Sequence, residues 1–297
     1  NKDYLKKYQV KSPLISNYNT LNSSFLIETL TDDSSFSSSI DVFEDLSKNE
    51  SDRYEYVFPN YKYTKEIFLD NSLFDTFNYK SSGNYRKFNT NVDELDLVND
   101  LVLKSKDSFT FVENSDSELS LLLRNINTYG DLSSTYKNKK NYSVLSSILY
   151  NFKYPLIKES KNNKKFLTPV ASFRFSPNPG LNLKNQNTLI TYDDLFGLNR
   201  INEKTVETGG ALTLGLEYKN QNLNNKDILN LKLAVNLRDQ EDQDLPISSS
   251  LNKKTSDIIG FSGVNITENL SLNYNFSLEQ NLSGTNYSLV SANYDGN

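Results

Sequence analysis

The residues best suited to chemistry in this 297-residue chain are carboxylates, because the sequence contains no Cys and no His. Thiol catalysis, Ser-His-Asp acyl transfer and Cys/His zinc sites are thereby excluded. Asp193 and Asp194 offer adjacent carboxylates for acid/base work or a divalent cation. Neighbours on an extended chain point to opposite faces, so a solvated turn is the simpler reading and no catalytic residue is assigned. A denser acidic run, Asp239, Glu241, Asp242 and Asp244, provides the candidate cation ligands, set against an ordinary exposed acidic loop. Gly209-Gly210 with Gly215 has the glycine content of a phosphate cradle but opens no helix; a bend or a close backbone approach within a strand fits better. The chain is read as non-enzymatic, with no cofactor.

The elements that must carry these residues are strands. Residues 211–218 put Leu212, Leu214, Leu216 and Tyr218 on one face, with Ala211, Thr213, Gly215 and Glu217 on the other. In 230–238, Leu231, Leu233, Val235 and Leu237 alternate with Asn230, Lys232, Ala234, Asn236 and Arg238. In 270–279, Leu270, Leu272, Tyr274, Phe276 and Leu278 alternate with Ser271, Asn273, Asn275, Ser277 and Glu279. Residues 142–156 carry Val144, Ile148, Tyr150, Phe152, Tyr154 and Leu156 on one parity and are read as a fourth such stretch. A period of two specifies strands with one apolar and one polar face.

A soluble sandwich buries the apolar face, whereas a transmembrane barrel turns it to lipid and lines its lumen with the polar one. Composition favours the barrel: only 36% of residues are hydrophobic, yet there are 19 Tyr and 17 Phe. The Leu, Val, Tyr and Phe residues of the 212–216, 231–237 and 270–278 alternations are accordingly read as lipid-facing. Lys232, Asn236, Arg238, Asn273, Asn275 and Glu279 are read as lumen-facing. Lys232 and Arg238 either guide lipid phosphates or stay solvated and pair with Glu217 or Glu279. No apolar run reaches the roughly 18 residues of a membrane helix, and the net charge of −5 mixes both signs without a nucleic-acid footprint.

Further strands follow from Leu21, Phe25 and Ile27, then Phe36, Ile40 and Val42, with Asp32-Asp33 as the turn. Tyr54, Tyr56 and Phe58 lead to Pro59, which suits a strand end or a bulge because it donates no ladder bond. From 66 to 128 the alternation is weaker, with Phe74, Phe77, Tyr79 and Leu119 to Leu123 as markers. Strands are expected near 166–175, 209–218, 228–238, 257–266, 270–279 and 285–294. The long connections 176–208 and 239–256 then fall at one end and the short ones 219–227 and 267–269 at the other. In an outer-membrane barrel these ends are extracellular and periplasmic respectively. At about 20 to 24 residues per strand with its connection, the chain holds roughly a dozen to fourteen strands in one domain, 1–297. The absence of any Met, including at position 1, suggests a processed or partial chain.

Two segments carry a family likeness. One runs Phe166-Leu-Thr-Pro-Val-Ala-Ser-Phe-Arg174, then Thr191-Tyr-Asp-Asp-Leu-Phe-Gly-Leu-Asn-Arg-Ile201 and Glu207-Thr-Gly-Gly210. The other runs Leu237-Arg-Asp-Gln-Glu-Asp-Gln-Asp-Leu-Pro246, Ser250-Leu-Asn-Lys-Lys-Thr-Ser-Asp-Ile-Ile-Gly260 and Asn269-Leu-Ser-Leu-Asn-Tyr274. Together with Asp3-Tyr-Leu-Lys-Lys-Tyr8 and 51–59, they resemble the C-terminal barrel of the LptD family, the lipopolysaccharide-assembly or organic-solvent-tolerance proteins, in an alphaproteobacterial version. The resemblance implies part of a larger antiparallel barrel in the outer membrane of a Gram-negative cell, inserting lipopolysaccharide into the outer leaflet. It also implies an LptE-like lipoprotein plug, a periplasmic lipopolysaccharide-transport bridge, and an N-terminal jellyroll that is absent from this chain. The family's Gly-Leu-Asp-Arg pattern is Gly197-Leu-Asn-Arg200 here, which leaves the ion pair of that motif without its acid. Porin or receptor barrels for solute uptake, and a surface β-sandwich adhesin, are the alternatives.

Overall fold

The computed structural model describes residues 19–71, 73–106, 112–267 and 269–296; the segment 3–8 that contributes to the resemblance lies outside them. Among the described residues there are fourteen strands: β1 Thr20–Leu30, β2 Ser34–Asp45, β3 Tyr54–Phe68, β4 Phe74–Phe88, β5 Val92–Ser105, β6 Asp116–Asp131, β7 Asn141–Lys153, β8 Leu156–Glu159, β9 Asn163–Ser176, β10 Gly209–Asn222, β11 Asp227–Arg238, β12 Ile258–Asn265, β13 Leu270–Leu278 and β14 Thr285–Tyr294. They form one open antiparallel sheet in which each strand neighbours the next in sequence, except that β7 pairs β9 and the short β8 lies off the path against β9. Among the described residues no helix is long and apolar enough to cross a membrane, a fact that concerns helices and not strands.

By proximity of backbone the chain divides into two compact units. The first comprises 19–70, 76–103 and 122–145, and therefore β1 to β3, most of β4 and β5, the later part of β6 and the start of β7. Its polar face is tied by charge: Arg124 donates to both carboxylate oxygens of buried Asp100 at 2.7 and 2.6 Å, and Arg86 bridges Glu55 at 2.6 Å and Glu94 at 3.6 Å. The register slips in β3 between Val57 and Asn60, so Pro59 sits at a bulge and not at a strand end. That is the position where its missing N–H interrupts no ladder.

The second unit comprises 71–75, 104–121 and 146–296, including β8 to β14. Here the ladder is nearly unbroken. Leu212 faces Leu237, Leu214 faces Val235, Leu216 faces Leu233 and Tyr218 faces Leu231. Leu233 is then registered with Gly260, Gly260 with Phe276, and Tyr274 with Val290. Directly paired residues share a face, so this register collects the apolar sets of β10, β11 and β13 on one side of the sheet.

The stretch 142–156 is corrected. The strand ends at Lys153, and Leu156 opens β8, a separate strand on β9. Pro155 lies between them and has no N–H for the ladder. β5 is the strand least visible in the sequence. Its buried face mixes Glu94, Asp96 and Asp100 with Val98 and Val102, so hydrophobicity does not alternate cleanly.

Candidate functional site

Burial on β10 and β11 runs opposite to that of a water-soluble sheet. Leu214 and Leu233 are 43% and 45% exposed, while Thr213 and Asn236 on the other face are 2% and 0% exposed. Leu212, Leu216, Leu231 and Leu272 are exposed as well; Val235, Leu237, Leu270, Tyr274, Phe276 and Leu278 are half-buried. What covers the polar face is the pair of long connections, 177–208 and 239–257, which lie at one end of the strands and fold back over the sheet.

Their packing has a physical cause in their own composition. Ile190, Tyr192 and Leu195 from the first loop and Leu245 and Leu251 from the second form one buried cluster with Ala234 and Ile259 of the sheet. Each buried aliphatic of that kind contributes about 1.5 to 3 kcal/mol relative to exposure. Hydrogen bonds couple the loops: Leu183 N–H donates to the Asp244 carbonyl at 2.6 Å, and Thr188 N–H to Ser248 Oγ at 2.9 Å. Others tie them to the sheet, with Asn151 donating to the Phe196 carbonyl at 3.2 Å and Tyr287 Oη to the Ile190 carbonyl at 2.6 Å. Gly215 makes the close approach feasible, since a Cβ there would lie 3.0 Å from Phe196 Cζ and 3.1 Å from Tyr192 Oη. Gly209, at φ +77°, supplies the left-handed backbone with which the first loop enters β10. Neither region opens a helix, so the glycines serve backbone approach and a turn.

Beneath the loops lies a buried ionic cluster of Arg174, Arg200, Arg238 and Glu207. Arg200 grips the carboxylate through Nε and through a second nitrogen 2.6 Å from Oε2; it also donates to the Leu195 carbonyl at 3.2 Å and to Asn236 Oδ1 at 3.1 Å. Arg238 donates to Glu207 Oε2 at 3.0 Å, and Arg174 approaches Oε1 at 3.8 Å while donating to the carbonyls of Gly197 and Leu198. Burial pushes the Glu207 carboxyl up, but Arg200, Arg174 and Arg238 together outweigh it and hold the group at about 2 against an ordinary 4.5. Arg200 thus finds its acid outside its own motif.

The charged residues read from the sequence have other partners than those expected. Lys232 is registered opposite Glu217, yet its ammonium lies 2.8 Å from Asp193 Oδ1, in the loop, and over the Tyr192 ring. Glu217 instead accepts from Tyr192 Oη at 3.1 Å. Burial and then Glu217 push the Tyr192 phenol up. Arg238 pairs with Glu207 and, at 3.5 Å, with Asp242, not with Glu217 or Glu279. Glu279 accepts from Ser283 Oγ at 2.8 Å in the β13–β14 connection. Asn236 and Arg238 lie under the loops and out of water, while Asn273 and Asn275 stay half-buried on β13.

Asp193 and Asp194 act separately: the first meets Lys232, and the second accepts from the N–H and Oγ1 of Thr191 at 2.8 and 2.6 Å. The acidic run is dispersed too. Asp239 caps its neighbour's N–H, Asp242 turns toward Arg238, and among the described residues no three acidic groups gather as a cation site. Arg174, Glu207 and Tyr192 are the buried polar positions of this region that reading by strand pattern passes over. Their signal is the apolar content of the loops themselves, Ile190, Leu195, Leu245 and Leu251, which marks segments that pack. Beside the covered region, a polar recess of about 400 Å³ opens between Thr168, Glu217, Lys219, Asn230 and Lys232. No protein-family model matches the chain, and a search of curated proteins finds no match.

Proposed function

We propose that the chain is part of an outer-membrane β-barrel of the lipopolysaccharide-insertion class, with no catalytic step. One observation carries the reading: leucines at regular two-residue spacing stand exposed on β10 and β11, while polar and charged side chains on the opposite face are buried. That polarity costs free energy in water and is favourable where lipid is the solvent on one side. The 14-residue lengths of β9 and β10 exceed the roughly 9 to 11 residues a tilted strand needs to cross a bilayer. The lipopolysaccharide assignment rests on the resemblance of segments 166–210 and 237–274. On this reading the ionic cluster and loop cap close the extracellular end over β9 to β12. Partners are lipopolysaccharide, an LptE-like lipoprotein and a periplasmic bridge, and the location is the outer membrane.

Depletion of the protein in its own cell tests it. Lipopolysaccharide should disappear from the cell surface and accumulate inside. Unchanged surface lipopolysaccharide together with lost uptake of small solutes would replace this reading with the porin or receptor one.

A further inference from the structure

The ionic cluster under the loops is short of negative charge. Among the described residues the guanidiniums of Arg174, Arg200 and Arg238 meet the carboxylates of Glu207 and Asp242, which leaves one positive charge over in a buried place. Arg174 carries the excess most directly. It donates to the carbonyls of Gly197 and Leu198, and its 3.8 Å approach to Glu207 Oε1 is too long for a hydrogen bond. A buried cation without its counter-charge is among the costliest groups a fold can hold.

The cluster is short of acceptors as well. Arg174 Nε, Arg238 Nε and Asn236 Nδ2 find no acceptor among the described residues. Their residues are 4%, 7% and 0% exposed, so bulk water does not serve them either. The Asn236 amide cannot be turned over to meet the need. Its oxygen accepts from Arg200 and from Thr213 Oγ1, each at 3.1 Å, and a guanidinium only donates, so the end left free is the NH2 group. Register gathers the three donors around one small residue. Arg174 of β9 and Arg238 of β11 are both paired with Ala211 of β10, and Asn236 is paired with Thr213, the next residue on that face. Between the two arginine stems Ala211 offers only a methyl group.

We infer that the cluster binds a monatomic anion, a halide such as chloride, above Ala211 on the covered face of the sheet. Such an ion accepts from all three donors and cancels the charge left over. A water molecule carries no charge, and it brings hydrogens of its own that need acceptors where acceptors are already lacking. A phosphate or sulfate asks for paired guanidinium nitrogens, and those of Arg174, Arg200 and Arg238 are committed to Glu207 and to loop carbonyls. The ion ties β9 and β11 to the first loop, because Arg174 holds the Gly197 and Leu198 carbonyls and Arg238 holds Glu207 and the Thr208 carbonyl. Halide concentration therefore sets how firmly the loop is fastened. Nothing in this requires lipid around the sheet, so the anion site and the membrane reading stand or fall separately.

The test compares salts. The full chain is digested in sodium chloride and, at equal ionic strength, in sodium gluconate, whose bulky anion does not fit a buried site. Nicking within 177–208 should slow in chloride along a saturating curve, by about tenfold at a concentration about ten times the Kd. Screening by itself acts equally in both salts. Arg174→Met removes the charge left over and one of the three donors, so the variant should be nicked at the same rate in either salt. Crystals of the parent chain grown in sodium bromide should show anomalous scattering from an ion beside Arg174 Nε, Arg238 Nε and Asn236 Nδ2. Equal nicking of the parent chain in the two salts overturns the site, and so does bromide at the surface alone, an adventitious ion only. Should Arg174→Met fail to fold, the parent's salt comparison and the bromide position decide without it.

Discussion

Glu207→Gln probes the cap at its most concentrated point. The substitution is nearly isosteric and removes the one carboxylate that three buried guanidiniums share. Arg200 loses both of its charged contacts, and Arg174 is left with the carbonyls of Gly197 and Leu198. Arg238 retains Asp242 at 3.5 Å. Removing one partner from a buried ion pair typically costs about 3 to 5 kcal/mol, because the remaining charge stays desolvated. The pKa of Glu207 gives a second route to the magnitude: a carboxyl moved from 4.5 to about 2 contributes about 3 kcal/mol, at about 1.4 kcal/mol per pH unit. The two routes agree. Because the cluster holds loops and not the ladder, the loss should appear first as protease nicking within 177–208, with strand content by circular dichroism unchanged. Adding Arg200→Met should recover part of the loss, since an apolar side chain there needs no counter-ion. Nicking no faster than in the parent chain, or a double variant worse than the sum of the singles, would refute an ionic cluster as the fastening of the cap.

Three further outcomes follow from the same geometry. Gly215→Val should loosen the loops by about 1 to 3 kcal/mol, since the added atoms meet Phe196, Tyr192 and the Leu233 carbonyl, and faster nicking of 177–208 would report it. The Glu207 carboxyl is lower in the folded state than in the unfolded chain, so its stabilisation is complete above 4.5 and is lost as pH falls toward about 2; loop protection should therefore be flat from neutrality to about pH 5 and decline only below that. Leu233→Arg should cost roughly 2 to 4 kcal/mol if assayed in lipid, whereas Asn230→Arg, on the polar face beside the recess, should be tolerated. Asn236 is unsuited as that control, because an arginine there would add a fourth guanidinium beneath the loops.

Strands were legible wherever the two faces segregate by polarity. Leu212, Leu214 and Leu216 against Thr213, Gly215 and Glu217 define β10 without any tertiary information, and β14 has the bounds its pattern suggests. β5 was not legible, because Asp96 and Asp100 share a face with Val98 and Val102 and Asn99 interrupts the leucines. In the structure Asn99 is held by its neighbours, accepting from Ser81 at 2.8 Å and donating to Asn125 at 3.3 Å. The cap was hidden for a different reason. Arg174, Arg200, Glu207 and Arg238 belong to a strand end, a loop and another strand end, so no local spacing joins them. Lys232 shows the limit of register: its cross-strand neighbour is Glu217, yet a loop residue distant in sequence, Asp193, captures it.

The central claim is that the leucine face meets lipid and the opposite face does not. With no native Cys, single cysteines at Leu214, Leu231 and Lys232 can each carry an environment-sensitive fluorophore in the chain reconstituted into vesicles. Lipids brominated along their acyl chains should quench the probes at 214 and 231 strongly and the probe at 232 weakly. Equal quenching at all three, or none at 214 and 231, would contradict the account.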